Sequence, residues 1–406
     1  MGKKLLKFLL RILKSEYFMG LATGFLSCAI LVMLMNAFGV NLWPSSVPKK
    51  IYQKSSLLYR LIQDYYPGEL NEDDMVNVAL KGMVQGVGDE YSTYYSPEEY
   101  KSVKSGMDGQ YVGIGITIVE KNGKTVVQDV KEGGPAEEAG ILKGDVIVEV
   151  NQEVISGGSI SQVSDLIKNG YDAKEGSVVT IKVERVKDGK KAYETFSIKR
   201  EVVETETVSS KDLSSEVCYI RITSFNENTD EQFEEIMKKV ERKNQEKLIL
   251  DLRDNGGGSV DATIHMLNYL LPKGDLITEK SKKQGDKKYT SDDKHSYNGK
   301  VVILINGNSA SASEVFAGTM QARNQAKLVG TQSFGKGIVQ TILSLDHSVG
   351  GALKITSSEY FLPNQKSIHK IGLTPDKVVE YQGSEGGYGK DDDNQLKEAL
   401  DLINAW

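Results

Sequence analysis

One unit, occurring twice, constrains this chain more than any other feature. "KLILDLRDNGGGSVDATIHMLNYLL", from Lys247 to Leu271, and "KVVILINGNSASASEVFAGTMQ", from Lys300 to Gln321, each pass from an apolar run through a tight turn into a segment of helical period. A strand that is apolar on both faces must be covered on both, and strands that each feed a helix lie side by side in parallel. The spacing therefore predicts an α/β core beyond residue 200. "VCYIRITSF" supplies a strand ahead of it, Asp230 to about Lys243 an amphipathic helix, and "KLVG", "TILSL" and "ALKITSSEYFL" read as later strands. Between the two units, "SKKQGDKKYTSDDKHSYNG" is charged and turn-rich and reads as a surface loop. The end, "KDDDNQLKEALDLINAW", reads as an acidic link and a short amphipathic helix that docks.

From about Gly109 to Arg200 the texture changes to β-branched runs broken by glycine: "YVGIGITIVE", "TVVQDV", "GDVIVEVN", "VVTIKVERV" and "ETFSIKR". One helical stretch, "SISQVSDLIKNG", interrupts them. This order, with "GGPAEEAGILKGDVIVEVNQEVI" in the middle, resembles a PDZ module. The resemblance implies that backbone amides of the loop Tyr111, Val112, Gly113, Ile114, Gly115 and Ile116 receive a peptide's terminal carboxylate, the peptide adding as a strand beside the helix. The loop also has a physical case of its own. Glycines at 113 and 115 let successive amides turn toward one anion, while Ile114 and Ile116 flank an apolar slot. For "GIGI" alone, a glycine-softened strand is the plainer alternative. Gln152 replaces the glycine usual after "VN", which touches a turn and not the groove.

The opening "MGKKLLKFLLRILKSEY" is basic and amphipathic, and Phe18 to Val40 carry no charge, a length that spans a bilayer. The run ends at "NLWPSSVPKK" rather than at small residues, so it predicts an uncleaved anchor with Trp43 at the interface; a cleaved secretory signal is the alternative. Basic residues before the span hold the N-terminus in the cytoplasm and place everything after about residue 41 outside the cytoplasmic membrane. Cys28 lies in the span, where further apolar turns argue against lipidation, and Cys218 is alone beyond it. The exported part therefore holds no internal disulfide. "SLLYRLIQDYY" and "DDMVNVALKGMVQGV" have helical spacing, with Asp73 or Asp74 as the second helix's cap, and the helical ends offer surface for a homodimer. The net charge of -6 is spread without a basic stripe, which excludes a nucleic-acid surface.

The 406 residues thus divide into a basic cytoplasmic segment 1–17, an anchor 18–40, a helical arm 41–107, a PDZ domain 108–200, an α/β core 201–385 and a helical tail 386–406.

Chemistry points to "INGNSASASEVFAGTM". Ser311 followed by Glu314 forms a capping box, which alone would explain both residues. One cap needs only one serine, however, and the flanking alanines suit a turn that another chain approaches closely. A serine at a strand-to-helix turn is exposed at the sheet's carboxyl edge, with the following amides aimed where an oxyanion would form. Its base is open to two readings. His265, His295, His347 and His369 lie in no triad context, and no GxSxG occurs. Lys336, in "GTQSFGKGIVQT", sits between two glycines with apolar flanks, an odd place for a solvated lysine; burial there would favour the neutral amine that a base requires. Gln340, four residues on, could orient it.

"NGNSASASEVFAG", "SFGKGIVQT", "LILDLRDNGGG" and "IGLTPD", in this order, together with "GMVQGVGDEYSTYYSPEE" ahead of the PDZ module, resemble the carboxy-terminal processing, or tail-specific, protease family. The resemblance implies an α/β protease core of ClpP/crotonase-like type. It implies Ser311 as nucleophile, Lys336 as general base, Gln340 in support, and oxyanion amides from Ala312 and Gly257, with Gly256 the near alternative. The implied partners are proteins or peptides with free C-termini; no metal or cofactor is implied. Some relatives carry an aspartate eleven residues after the serine, where this chain has Ala322, and "LRDNGGG" and "DEYS" stand for the commoner "LRxNPGG" and "DPYS". The competing readings are a catalytically inactive PDZ scaffold and a Ser-His hydrolase that depends on His347 or His369.

Overall fold

The computed structural model describes residues 49–406 other than 156–159, 170–173, 188, 293, 346–349 and 385, together with Gly20, Gly24, Leu26 and Ser27. Apart from those four, the expected anchor Phe18–Val40 lies outside the described residues, as do Trp43 and His347. Among the described residues no helix is long and apolar enough to cross a membrane. The chain falls into two compact units, Met1–Val76 and Asn77–Trp406.

The first unit holds α1 (Lys49–Tyr65) and the start of α2 (Glu72–Gln85). The cap of α2 is Asn71, two residues before the nearer expected cap, Asp73. Asn71 Oδ1 accepts the Asp74 amide at 3.2 Å, and Glu72, Asp73 and Asp74 occupy the first turn, where carboxylates suit the positive end of the helix.

The second unit holds the rest of α2, then β1 (Thr93–Tyr95) and α3 (Pro97–Met107), the last started by a Ser96–Glu99 capping box and Pro97. The PDZ strands follow: β2 (Gln110–Gly113), β3 (Ile116–Lys121), β4 (Lys124–Val130), then α4 (Pro135–Ala139), β5 (Val146–Val150), β6 (Glu153–Val154), α5 (Ile160–Asn169), β7 (Val178–Lys187) and β8 (Lys190–Lys199). They form an antiparallel sheet in the order β3-β4-β5-β7-β8, with β6 on β5. Alternate residues of β7, Val179, Ile181 and Val183, are fully buried against Ile147, Val163 and Ile198. The expected "YVGIGI" strand is divided, because Gly115 has a φ of 75° and turns the chain between β2 and β3. β9 (Glu201–Glu204) leaves the module and pairs with β2, so both ends of the PDZ domain run out along one ribbon.

The core comprises β10 (Val208–Asp212), β11 (Val217–Ile222), α6 (Thr229–Arg242), β12 (Lys247–Asp251), α7 (Val260–Leu270), β13 (Gly274–Lys280), β14 (Lys287–Ser291), β15 (Lys300–Ile305), α8 (Ala312–Ala322), β16 (Lys327–Gly330), β17 (Ile338–Ser344), β18 (Ala352–Phe361), β19 (Lys377–Val378) and α9 (Asn394–Ala405). Its main sheet, β10-β11-β12-β15-β16-β19, is parallel except for β10. Leu248, Leu250, Val301 and Ile303 face α6, α7 and α8 through Phe233, Met266 and Phe316, while Ile249, Val302 and Leu304 face Leu396, Ala399 and Ile403 of α9. The tail helix is therefore the layer that covers the sheet's second face.

A second, antiparallel sheet runs β1-β18-β13-β14, with β17 on β18. The expected strands "TILSL" and "ALKITSSEYFL" form β17 and β18 of this sheet, and one expectation is corrected: part of the expected surface loop is the strand β14, paired with β13. Exposed Lys287 and Lys288 hide that strand in the sequence; its inward residues are Tyr289, which packs on the core, and Ser291, whose hydroxyl donates to the Pro272 carbonyl.

Candidate active site

β12 and β15 are neighbouring parallel strands, so the turns at their carboxyl ends lie side by side. The serines of "SASAS" do different jobs there. Ser309 Oγ donates to the Leu252 carbonyl at 2.8 Å and Ser313 Oγ to the Asn255 carbonyl at 2.9 Å; both serines are fully buried and clamp one turn to the other. Ser311, between them, is only partly buried and has φ 54° and ψ -115°, a conformation that a residue with a Cβ adopts only when its surroundings enforce it. Sequence gave no GxSxG, yet the backbone makes a strained strand-to-helix turn at this serine.

Gly257 packs against that turn. Its φ is 102°, and a Cβ there would lie 2.7 Å from the Ala310 carbonyl oxygen and 2.9 Å from the Ala312 nitrogen. Among the described residues the Ala312 amide has no hydrogen-bond acceptor, whereas the Gly257 amide donates to Asn255 Oδ1 at 2.8 Å. An incoming oxyanion would compete for that second donor. Gly256, the alternative, is exposed, and a Cβ on it would touch nothing within 4 Å. Gly257→Ala is expected to lower kcat at least tenfold and to depress the melting temperature, since neither the backbone contact nor the positive φ can relax; Gly256→Ala should do neither, as paired kinetics and calorimetry would tell.

Sequence missed the residue that joins the serine turn to the lysine turn. Glu314 is fully buried, and its Oε2 accepts both the Ser311 amide at 2.9 Å and the Lys336 amide at 2.8 Å. Its Oε1 accepts the Gly335 amide at 2.7 Å and the Ser333 hydroxyl at 2.5 Å. The amide nitrogens of 311 and 336 are thus no farther apart than two hydrogen bonds laid end to end. The buried Tyr360 hydroxyl lies 3.0 Å from the Ser311 carbonyl oxygen and also meets that of Lys336. The capping box exists, and it is half of this bridge.

The Lys336 side chain donates from Nζ to Gln340 Oε1 at 2.9 Å, and Gln340 Nε2 donates to the Tyr91 carbonyl. Among the hydrogen bonds of the described residues, none joins Nζ to the Ser311 hydroxyl. Burial, then the nearby Lys354 ammonium, push the Lys336 pKa down, against an upward pull from Asp89. Of the described histidines, His265 pairs with Asp230 and His295 with Glu241 and the Tyr269 carbonyl, while the backbone of His369 packs against Gly337.

In the PDZ domain, Tyr111, Gly113, Ile114, Gly115, Ile116 and Ile118 line a narrow cleft together with Ser164, Ile167 and Lys168 of α5. Val112 does not line it; it pairs with Val202 in the ribbon. The amides of Ile114 and Gly115 have no acceptor among the described residues. The Tyr111 ring lies across Gly113, with Lys168 Nζ 4.9 Å from its centroid.

Residues 216–379 match the family model for Peptidase family S41, and residues 112–199 match that for the PDZ domain. A CtpA-like serine protease of Staphylococcus aureus (strain MRSA252) is 34% identical over 326 residues, covering 80% of this chain and 64% of that protein, so the chain spans less than two thirds of this relative. The carboxy-terminal processing protease CtpA of Bacillus subtilis (strain 168) is 32% identical over 330 residues, covering 81% of this chain and 69% of that protein. A solved S41-family structure from Bacteroides fragilis shares the fold, with a TM-score of 0.55 at 16% identity over 89% of this chain and 99% of that one. The chain belongs to the carboxy-terminal processing protease family, serine peptidases of the S41 type that carry a PDZ domain.

Proposed function

We propose that this chain is a membrane-anchored serine endopeptidase that recognises and cuts near the C-terminal tails of extracytoplasmic proteins, using Ser311 as nucleophile and Lys336 as general base. The observation that supports this best is the shared Glu314 oxygen, which fastens both backbones to one point. On this reading the lysine side chain exchanges Gln340 for the Ser311 hydroxyl while Glu314 holds both main chains. The neutral amine takes the Oγ proton as Oγ attacks the scissile carbonyl carbon. The oxyanion is received by the Ala312 amide and, in place of Asn255, the Gly257 amide. As the C–N bond breaks, the ammonium returns its proton to the leaving amine, and water, deprotonated by the same lysine, then hydrolyses the acyl-serine ester.

The PDZ cleft holds the substrate's carboxylate on the Ile114 and Gly115 amides, beside apolar Ile116 and Ile167. A shift of this domain on peptide binding, carried along the β2–β9 ribbon, gates access to the site; unchanged rate and tail preference after deleting residues 109–190 would end that idea. Gly115→Val, strained at its φ of 75° and 3.3 Å from Lys131 Cβ, is expected to raise KM about tenfold for a peptide with a free carboxylate and not for its amidated form. Phe18–Val40 anchors the enzyme as a single pass with the catalytic region outside, and the helical ends support a homodimer. The decisive experiment is trapping: Ser311→Ala, expressed in the native membrane, should retain uncut proteins with exposed tails. Wild-type turnover by that variant would refute the assignment.

A further inference from the structure

The Lys336 amine is enclosed by more than its own turn. The segment Asp89–Ser92, ahead of the PDZ domain, folds over it. The Tyr91 carbonyl accepts Gln340 Nε2, the same glutamine's Oε1 accepts Lys336 Nζ, and the Tyr91 ring centroid is 4.9 Å from that amine. Asp89 pins this segment in place, because its carboxylate accepts the Tyr91 amide at 3.3 Å, the Thr356 hydroxyl at 2.6 Å and the Ser92 hydroxyl. Thr356 stands opposite Gln340 in the β17–β18 pairing. Lys354, two residues away on the same face, stands opposite Ile342 on one side and Thr93 on the other. One sheet face and the turn packed on it therefore present Lys336 with one carboxylate and one further ammonium.

Resting on the assignment of Lys336 as base, we propose that Asp89 and Lys354 are positioning residues that bias its protonation in opposite directions, while Tyr91, through Gln340, fixes where its amine points. Asp89 favours the ammonium. Lys354 and burial favour the neutral amine that accepts the serine proton. The remaining groups packed around this lysine act elsewhere: Glu314 of α8 binds its amide, Tyr360 of β18 its carbonyl, the backbone of His369 abuts Gly337, and Glu90 lies beside Tyr91. The neighbouring charge thus comes from a turn ahead of the PDZ domain and from β18, outside the lysine's own turn, where no dyad motif would reveal it.

The test measures kcat/KM of the full chain against pH on a peptide with a free C-terminus. Asp89→Asn should move the rising limb to lower pH and Lys354→Met should move it to higher pH, each by about half to one unit. Lys354→Arg, which keeps the charge, should restore the wild-type limb. Melting temperatures recorded in parallel identify any unfolded variant; should Asp89→Asn not fold, the Lys354→Met and Lys354→Arg pair decides. Limbs that stay put, or that move the same way in both charge-removing variants, overturn the proposal. If Lys336→Ala retains wild-type activity, the base assignment fails first, whereas an inactive Lys336→Ala with unmoved limbs sinks the present inference alone.

Discussion

Lys336→Ala is expected to lower kcat/KM by roughly 10³-fold, with little change in melting temperature, because a positioned general base contributes about 10² to 10⁴ and this side chain's hydrogen bond is to one glutamine. The physical ground is its setting. Half burial and Lys354 disfavour the ammonium, so the lysine's pKa is lowered and a larger share of the enzyme carries the free amine at a given pH. The sign follows: the base works only when deprotonated, so kcat/KM should rise with pH and level off once Lys336 has lost its proton. A profile that is flat from pH 5 to 9, or a Lys336→Ala enzyme as fast as the wild type, would remove lysine from the mechanism. Replacing His369, whose backbone abuts the next residue in the lysine turn, should leave the rate within a few-fold.

Glu314→Ala should be worse for the fold than for any single contact. It leaves the amides of Ser311, Gly335 and Lys336 and the hydroxyl of Ser333 facing a buried void, at about 1 to 3 kcal/mol for each donor left unpaired. Partial relaxation brings the expected loss to about 3 to 5 kcal/mol, together with activity below detection. Glu314→Gln separates the two effects. It fills the same space but turns one acceptor oxygen into a donor, so one pair of donors loses its partner whichever way the amide is oriented. The folded Gln variant is therefore expected to lose roughly 10²-fold or more in kcat with a smaller stability loss. Chemical denaturation beside steady-state kinetics measures both; a Gln variant with wild-type kcat would mean that the Glu314 bridge does not hold the two turns for chemistry.

The reach of sequence reasoning differs from element to element. The parallel strands were legible because both their faces are buried and their residues are apolar throughout, and the helices after them because their period is strong. β14 was not legible, since its outward residues are lysines and its partner lies across a turn. Ser311, Lys336 and Gln340 were singled out as candidates by small neighbours, glycine punctuation and resemblance. Glu314 was seen only as a cap, because its second function depends on a turn more than twenty residues away. Tyr360 carried no signal, as an aromatic in a strand is ordinary core material, and Asp89 and Tyr91 are separated from Lys336 by the whole PDZ domain.

Local preference and periodicity, which act over a few residues, were enough to specify the strands, the helices, the glycine turns and the types of reactive group this chain carries. They could not specify which donors meet which acceptor across sheets, because those meetings depend on register and layer packing. Which carboxylate joins the serine turn to the lysine turn, and which charges surround the amine, are set by contacts between distant segments, and so they emerge only once the core has closed around its two sheets.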